Sequence, residues 1–460
     1  MTVFWLTRIL AQAPQRVGEH AIVVGASIAG LLAARVLSES FDQVTVLDRD
    51  ALPQLSDNRH GVPQGHHPHL LQLRGHEVFE RLFPCFTDEA LRAGAPAVRV
   101  TTDLRLCIGG HRLPGVQMGL ALPAPSRPLL ESLVRRRVRA LANVTVRDRC
   151  SVLSLICEGG SVGGVQAQDR AAGRDPRMLR ADLVVAATGR GGRVPAWLES
   201  MGYERPVEER VDIDIGYASR HLRLRPGALG TDKTVYTSAM PGRPRGMALV
   251  AEEGDRCHMG LLGYGAAHHP PNDDAGWMAF VATVADPDVL AAIADAEPLS
   301  EIMTHAFPAN LRRRYDRLRR FPDGLLVLGD ALCSFNPVYG QGMAVAALEA
   351  VALQQCLQDG DSRLAQRFFK AANVPVNNAW KLATGADFAL PEVQARGPLT
   401  VRLANRYIER LLGVAERDEE VARTFIEVLG MLVPPTRLLR PATSMRVLRG
   451  TLRRGPDSNA

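Results

Sequence analysis

Short apolar runs punctuate the chain, and their period changes along its length. Ala21-Ile22-Val23-Val24, Val44-Thr45-Val46-Leu47, Val144-Thr145-Val146, Ala181 to Ala187 and Leu325 to Leu328 read as strands, the last two as buried ones. Leu31-Leu32-Ala33-Ala34-Arg35-Val36-Leu37 reads as a helix after the first run, so residues 18 to 50 form a β-α-β unit. Further on, Val211, Ile213, Ile215 and Tyr217 fall at every second position, the period of a half-buried strand. Met247 to Glu252 and Arg256 to Tyr264 flank Glu253-Gly254-Asp255, a hairpin signal. A second hairpin-like stretch spans about 151 to 180, with turns at Glu158-Gly159-Gly160 and Gly173-Arg174-Asp175-Pro176. Val98 to Leu113 alternates weakly and predicts strand. Leu70 to Leu91, 127 to 142, about 276 to 320 and 361 to 430 predict helices, and Pro434-Pro435 breaks the last pattern. The expected class is α/β: a Rossmann-like domain from residues 18–100, 126–200 and 321–360, an inserted mixed β-sheet domain over 205–320, and a helical C-terminal extension over 361–460.

Two glycine-rich bends add chemistry to this pattern. In the first, Gly25, Ser27 and Gly30 are small enough to let the backbone approach a pyrophosphate, and the helix that follows points its N-terminal amides and dipole at that charge. Ser27 stands where G-x-G-x-x-G has its middle glycine. Asp48 lies 23 residues after Gly25, at the end of the next strand, where an acidic group accepts from a ribose 2′-OH; Arg49 beside it is counted in the same site. In the second bend the strand Leu325 to Leu328 ends in Gly329-Asp330. A turn with Pro337 follows, and Gly340-Gln341-Gly342-Met343 opens another helix. That helix start suits a ribityl chain and a flavin ring edge, with Asp330 as the ribityl partner and the amides near Gly342 and Met343 facing charge on the reduced ring. Together the bends predict one FAD across both.

With these motifs the chain resembles the FAD-dependent monooxygenases of the aromatic-hydroxylase superfamily, and within it the bacterial polyether epoxidases and squalene-epoxidase-like enzymes. The resemblance rests on the turn at Gly25, Arg59-His60-Gly61-Val62-Pro63-Gln64-Gly65, Ser126-Arg127-Pro128-Leu129-Leu130-Glu131, Thr188-Gly189-Arg190 and the run from Gly329 to Met343. It implies that Arg127 touches the FAD. It also implies that reduced FAD and O2 place one oxygen atom on an apolar small molecule, by alkene epoxidation or hydroxylation. Hydroxylating a phenol benefits from a base, and none stands out in the sequence, which favours epoxidation. Thr188-Gly189 occupies the place where many aromatic hydroxylases carry Asp-Gly. The reductant is therefore NADH or NADPH, used directly or through a separate flavin reductase. Tryptophan halogenases share the fold, but their catalytic lysine and W-x-W-x-I-P motif have no match in the spacing of Trp5, Trp197, Trp277 and Trp380. A flavin-dependent reductase of prenyl or polyene double bonds and a non-catalytic FAD-binding protein are the alternative readings.

Composition narrows the setting. The 460 residues suffice for two domains and an extension, and no apolar segment approaches the roughly 18 residues of a spanning helix. Seven scattered cysteines without a C-x-x-C predict a reduced, cytoplasmic protein with no metal site. Of the net charge of +6, five units come from six arginines and one aspartate in residues 434 to 460, so no nucleic-acid partner is expected. That segment reads either as a helix packed on the core or as a contact with a membrane surface. Residues 1 to 17, with Phe4, Trp5, Leu6, Ile9 and Leu10, read as a leader or a surface helix. His60, His66, His67 and His69 crowd one loop, with His76 nearby. Three readings fit them: contacts to flavin oxygens, a metal site, or a solvated cluster.

Overall fold

The computed structural model describes residues 15–119, 121–170, 175–395 and 397–452. The leader residues 1–14, part of the turn at 173–176, and Arg453 and Arg454 lie outside these. In chain order the elements used below begin with β1 (Gly18–Val24), α1 (Ile28–Leu37), β2 (Phe41–Leu47), β3 (Leu104–Ile108), α2 (Arg127–Arg139), β4 (Val144–Arg147) and β5 (Leu183–Ala186). Then come β6 (Glu208–Arg223), β7 (Thr234–Thr237), β8 (Arg245–Glu252), β9 (Arg256–Tyr264), α3 (Asp274–Val281), α4 (Pro287–Ala294), β10 (Met303–Arg313) and β11 (Leu325–Val327). Five helices follow: α5 (Gly342–Gln358), α6 (Leu364–Asp387), α7 (Leu399–Ala415), α8 (Glu419–Leu429) and α9 (Pro441–Leu452).

The apolar runs assemble into a five-stranded parallel sheet in the order β11-β5-β1-β2-β4. One row crosses all five strands, Leu326–Val185–Val23–Val46–Val146. Its first four members are fully buried, as both faces of a parallel sheet require. Because the strands are parallel, the carboxyl ends of β1 and β11 open on the same edge, and α1 packs against α5 beside it. Residues distant in sequence thus become neighbours. The hairpin stretch forms a three-stranded antiparallel sheet of 150–158, 161–169 and 177–180.

A nine-stranded mixed sheet runs 333–334, β10, β6, β9, β8, β7, β3, 111–112, with 297–298 also on β6. Its one parallel pair is β7 with β3, which brings residues before 126 into it. One face packs Met247, Leu249, Met259 and Leu261 under Trp277 and Phe280 of α3. The other face presents Ile215, Tyr217, Tyr264 and Phe307 toward Leu390 and Val393. The turn at Glu253-Gly254-Asp255 joins β8 to β9 as the pattern predicts.

Two helix predictions need correction. Residues 276 to 320 are helical only to Ala294; Met303–Arg313 is a long strand paired with β6. Pro308 within it cannot donate a ladder hydrogen bond, and β6 answers with a bulge, since Asp212 pairs with Ala309 while Ile215 pairs with Phe307. Leu70 to Leu91 is two helices, Leu73–Leu82 and Phe86–Arg92, separated where Cys85 takes φ 64° after Pro84. In the C-terminal region Leu438 and Val447 pack with Leu411, Leu412, Val421 and Phe425, while Met445, Leu448 and Leu452 are exposed. Among the described residues no helix is long and apolar enough to cross a membrane.

Candidate cofactor site

The first bend is built from contacts that only glycine permits. Gly25 has φ 110°, and a Cβ there would lie 2.3 Å from the Ala187 carbonyl oxygen. A Cβ on Gly30 would lie 1.8 Å from the Gly25 oxygen, so this residue seats α1 on its own turn. Ser27 precedes the helix without capping it. Its Oγ instead donates to Glu131 Oε2 at 3.2 Å and accepts from Arg127 Nη2 at 2.9 Å. The hydroxyl therefore ties the turn to α2, which explains the missing middle glycine. Asp48 is buried, and its Oδ2 accepts from the Ala26 amide at 2.6 Å while Oδ1 accepts from the Asp50 amide at 2.9 Å. This residue holds the bend in shape. Arg49 beside it is exposed.

Behind the bend lies a buried network of charge. Arg59 donates through Nε to Glu131 Oε1 at 2.7 Å and through Nη1 to Asp50 at 3.0 Å and Asp48 at 3.3 Å. Arg127 and Arg135 also pair with Glu131, at 3.1 and 3.3 Å. Burial alone would raise the Glu131 carboxyl, but Arg127 and Arg59 hold it below its ordinary range. Two donors are left over. Arg59 Nη2 and Arg127 Nη1 are buried without an acceptor. An unpaired buried guanidinium N–H costs about 1–3 kcal/mol, so the pair fits an anionic group that supplies oxygens.

The second bend meets the first. Gly329 has φ 66°, and a Cβ there would lie 2.7 Å from Ala29 Cβ on α1. Asp330 is half-buried, with Oδ1 4.0 Å from the position of a Gly342 Cβ. Burial raises its carboxyl, although Arg190 and Arg127 pull it down. Pro337 is exposed in a 3₁₀ turn that ends at Gly340 with φ 62°. Gln341 is buried with Oε1 unpartnered, and Gly342 starts α5 with nothing over it but Asp330. The amides that open this helix have no intrahelical partners. Met343 packs its side chain on the main core. The two stretches thus converge on one edge of the parallel sheet, which leaves a place with bare amides, free guanidinium donors and no Cβ in the way. Those features fit a dinucleotide.

Sequence inspection missed two buried carboxyls here. Glu349 of α5 accepts from the Gly329 amide at 2.6 Å. Burial, aided by Asp330 and opposed by that hydrogen bond, pushes its pKa up to about 8. Asp387, at the end of α6, is fully buried. It accepts from Asn310 Nδ2 at 2.6 Å, Tyr339 Oη at 2.8 Å, Asn336 Nδ2 at 2.9 Å and Tyr264 Oη at 3.0 Å. Asn336 in turn accepts from Tyr217 Oη at 2.7 Å. This network ties the loop before Gly340 to β6, β9, β10 and α6. An acidic residue inside a helical pattern gives no signal of such a role.

The histidine loop divides. His60 is exposed, and His76 is buried within 3.2 Å of Thr87 Oγ1. His67 reaches the nine-stranded sheet. Its Nδ1 lies 2.9 Å from Ser219 Oγ, and its ring lies 5.5 Å from that of His305 and 5.9 Å from that of Tyr217. Burial, with His305 and His69 nearby, lowers the His67 pKa to about 3. His69 falls to about 4 through burial and then Arg127, which places the loop beside the guanidinium network. Both imidazoles are neutral at ordinary pH and can accept a hydrogen bond.

No protein-family model matches the chain. It is 36% identical over 427 residues to "Protein Rv3254" of Mycobacterium tuberculosis (strain ATCC 25618 / H37Rv), with 90% of each chain covered. It is 29% identical over 363 residues to 6-methylpretetramide 4-monooxygenase of Streptomyces rimosus, covering 76% of this chain and 78% of that protein. Among solved structures, the flavin-dependent brominase Bmp2 superposes with a TM-score of 0.66 at 13% identity, over 95% of this chain and all (100%) of that one. The chain belongs to the family of the mycobacterial protein, and its fold is that of the FAD-dependent monooxygenase superfamily of oxidoreductases. The likeness to the brominase is one of fold.

Proposed function

We propose that this chain is an FAD-dependent monooxygenase that places one oxygen atom from O2 on an apolar small molecule. The observation that carries the reading is the meeting of Gly329 with Ala29, beside the unpaired Nη1 of Arg127. In this reading the Gly25 turn and the first amides of α1 hold the pyrophosphate, with Arg127 beside them. Asp48 takes the ribose in place of its long, 3.3 Å contacts with Arg59 Nη1, while Ala26 and Asp50 keep their hydrogen bonds to it. Asp330 takes the ribityl chain, and the amides at Gly342 and Met343 face the pyrimidine edge. When bound and reduced, FAD supplies the O2 activation and oxygen transfer. The chain supplies position and dryness.

A place for a substrate hydroxyl lies on the nine-stranded sheet. His67 and His305 give the face of β6 and β10 two neutral imidazoles, and the Ser219 hydroxyl orients His67 Nδ1. Burial makes His67 a weak base, but the two neutral rings can accept a hydrogen bond from a phenolic or enolic hydroxyl and so hold that ring in place. An acceptor for a substrate hydroxyl is thus available, and it supports hydroxylation of such a ring over alkene epoxidation. The monooxygenase name of the Streptomyces relative supports the same class. NADH or NADPH provides electrons, directly or through a flavin reductase. The test is to supply the FAD-loaded protein with a flavin reductase, NADH and O2 and offer panels of phenols and alkenes. A phenol that gains one oxygen atom is the expected product. An epoxide would move the reading to epoxidation, a gain of two hydrogens to a double-bond reductase, and NADH consumption with peroxide alone to a non-catalytic flavin binder.

A further inference from the structure

The nine-stranded sheet carries a ligand set that neither its fold nor the cofactor reading uses. His221 Nε2 lies 3.2 Å from Glu252 Oε2, and His258 Nδ1 lies 3.2 Å from Glu252 Oε1. One ligand atom from each of the three residues falls within 4.8 Å of the others. The two imidazoles stack at 4.0 Å, so both present their nitrogens to the same carboxylate. Glu252 and His258 are buried, at 4% and 2% exposure, whereas His221 keeps about one-fifth of its side chain (21%) open.

A backbone hydrogen bond turns one ring lone pair of this set toward the carboxylate. His258 Nε2 lies 3.1 Å from the His66 carbonyl oxygen. A carbonyl only accepts, so Nε2 carries the proton and a neutral His258 has only a lone pair at Nδ1. That lone pair faces a carboxylate oxygen, which also only accepts. Two acceptors at this distance repel unless a cation lies between them. A proton or a metal ion can supply that charge, and the convergence of three ligand atoms within 4.8 Å favours the metal.

We propose that His221, Glu252 and His258 bind one divalent transition-metal ion of the zinc class, through two imidazole nitrogens and the carboxylate. The spacing supports this: two atoms each about 2.1 Å from a zinc ion stand about 3.2 Å apart at an angle near 100°. The second sphere supports it as well, because a metal-bound imidazole donates its other N–H to a backbone carbonyl, as His258 does to His66. Among the described residues the guanidinium near the carboxylate is that of Arg256, whose Nε lies 3.5 Å from Glu252 Oε2 and whose Nη2 makes the shorter contact, 2.9 Å, to Glu253 Oε1. Water completes the coordination on the open side of His221. The site is a clasp: an ion there fixes β6, β8 and β9 together, and through His66 it fixes the loop that carries His67. The histidines crowded in sequence between 60 and 76 are not its ligands.

The test uses the purified full chain, freed of metal with a chelator and measured both with and without FAD. Zinc is added, uptake is read by calorimetry and elemental analysis, and melting temperature is followed. The proposal expects one zinc per chain and a higher melting temperature, because the ion binds only the folded site. Glu252→Gln and His258→Gln should abolish both effects. His221→Gln replaces a partly exposed residue and leaves the buried pair intact, so a folded variant is expected whose affinity is weaker by at least about 100-fold. Zinc uptake equal in wild type and all three variants would overturn the site, as would no uptake by the wild type.

Discussion

Replacing Glu349 by glutamine isolates the consequence of one buried carboxyl. Its pKa is pushed from an ordinary 4.5 to about 8, chiefly by burial under the Gly329 turn. Below about pH 4.5 the folded and unfolded chains both keep this proton. Between there and about pH 8 only the folded chain keeps it, so stability falls as pH rises through that window. Above about pH 8 both forms have lost it and the loss is complete. At about 1.4 kcal/mol per pKa unit, the shift corresponds to about 3–5 kcal/mol of stability lost across the window. Glutamine keeps an acceptor for the Gly329 amide and cannot ionise. At pH 5 the variant should therefore unfold at nearly the same urea concentration as wild type, and at pH 9 it should be more stable by about 3–5 kcal/mol. Comparing the FAD-free forms at both values removes the contributions of every other group. Parallel stability profiles for the two proteins would refute the reasoning, and a variant weaker than wild type at pH 9 would show that the native turn needs the carboxylate.

Other perturbations test the remaining parts. Arg127→Ala removes the unpaired guanidinium donor and should weaken FAD binding about 10- to 100-fold in a fluorescence titration; unchanged affinity would remove Arg127 from the site. Asp48→Ala frees the Ala26 amide and removes the ribose acceptor, so flavin content on purification should drop severalfold relative to wild type. Asp387→Ala strands four buried donors, and calorimetric unfolding should show a loss of about 3–5 kcal/mol; a loss under about 1 kcal/mol would mean that the network is not held as described. Met445, Leu448 and Leu452 leave one face of α9 apolar beside Arg449. Wild type should cosediment with anionic vesicles and Leu448→Asp should not, whereas equal recovery in the supernatant would assign that face no membrane role.

The parts of this molecule that could be read from sequence were those fixed by local geometry. Gly25 and Gly30 are legible because a turn and a close helix approach admit no Cβ, and the buried strands are legible because parallel pairing hides both faces. The pairing of the Gly25 and Gly329 bends could be foreseen because each alone has the shape expected for half of a dinucleotide site. Met303–Arg313 was misread because Pro308 and a run of polar residues mask its period; only pairing with the bulged β6 shows it to be a strand. Ser27 gave no hint that its hydroxyl would lock onto Arg127 and Glu131, 100 and 104 residues away. Glu349, Asp387 and the set at His221, Glu252 and His258 were invisible for the same reason. Their chemistry comes from burial and from partners that tertiary packing supplies. The setting of His67 was overlooked because its partners, Ser219 and His305, lie on two strands of another sheet.

The account rests on two distant bends forming one cradle, and a titration tests it directly. FAD added to the cofactor-stripped chain, followed by flavin fluorescence and visible absorbance, should saturate at one FAD per chain and give a yellow protein that survives gel filtration. A chain that stays colourless at saturating FAD, with free-flavin fluorescence unchanged, would contradict it.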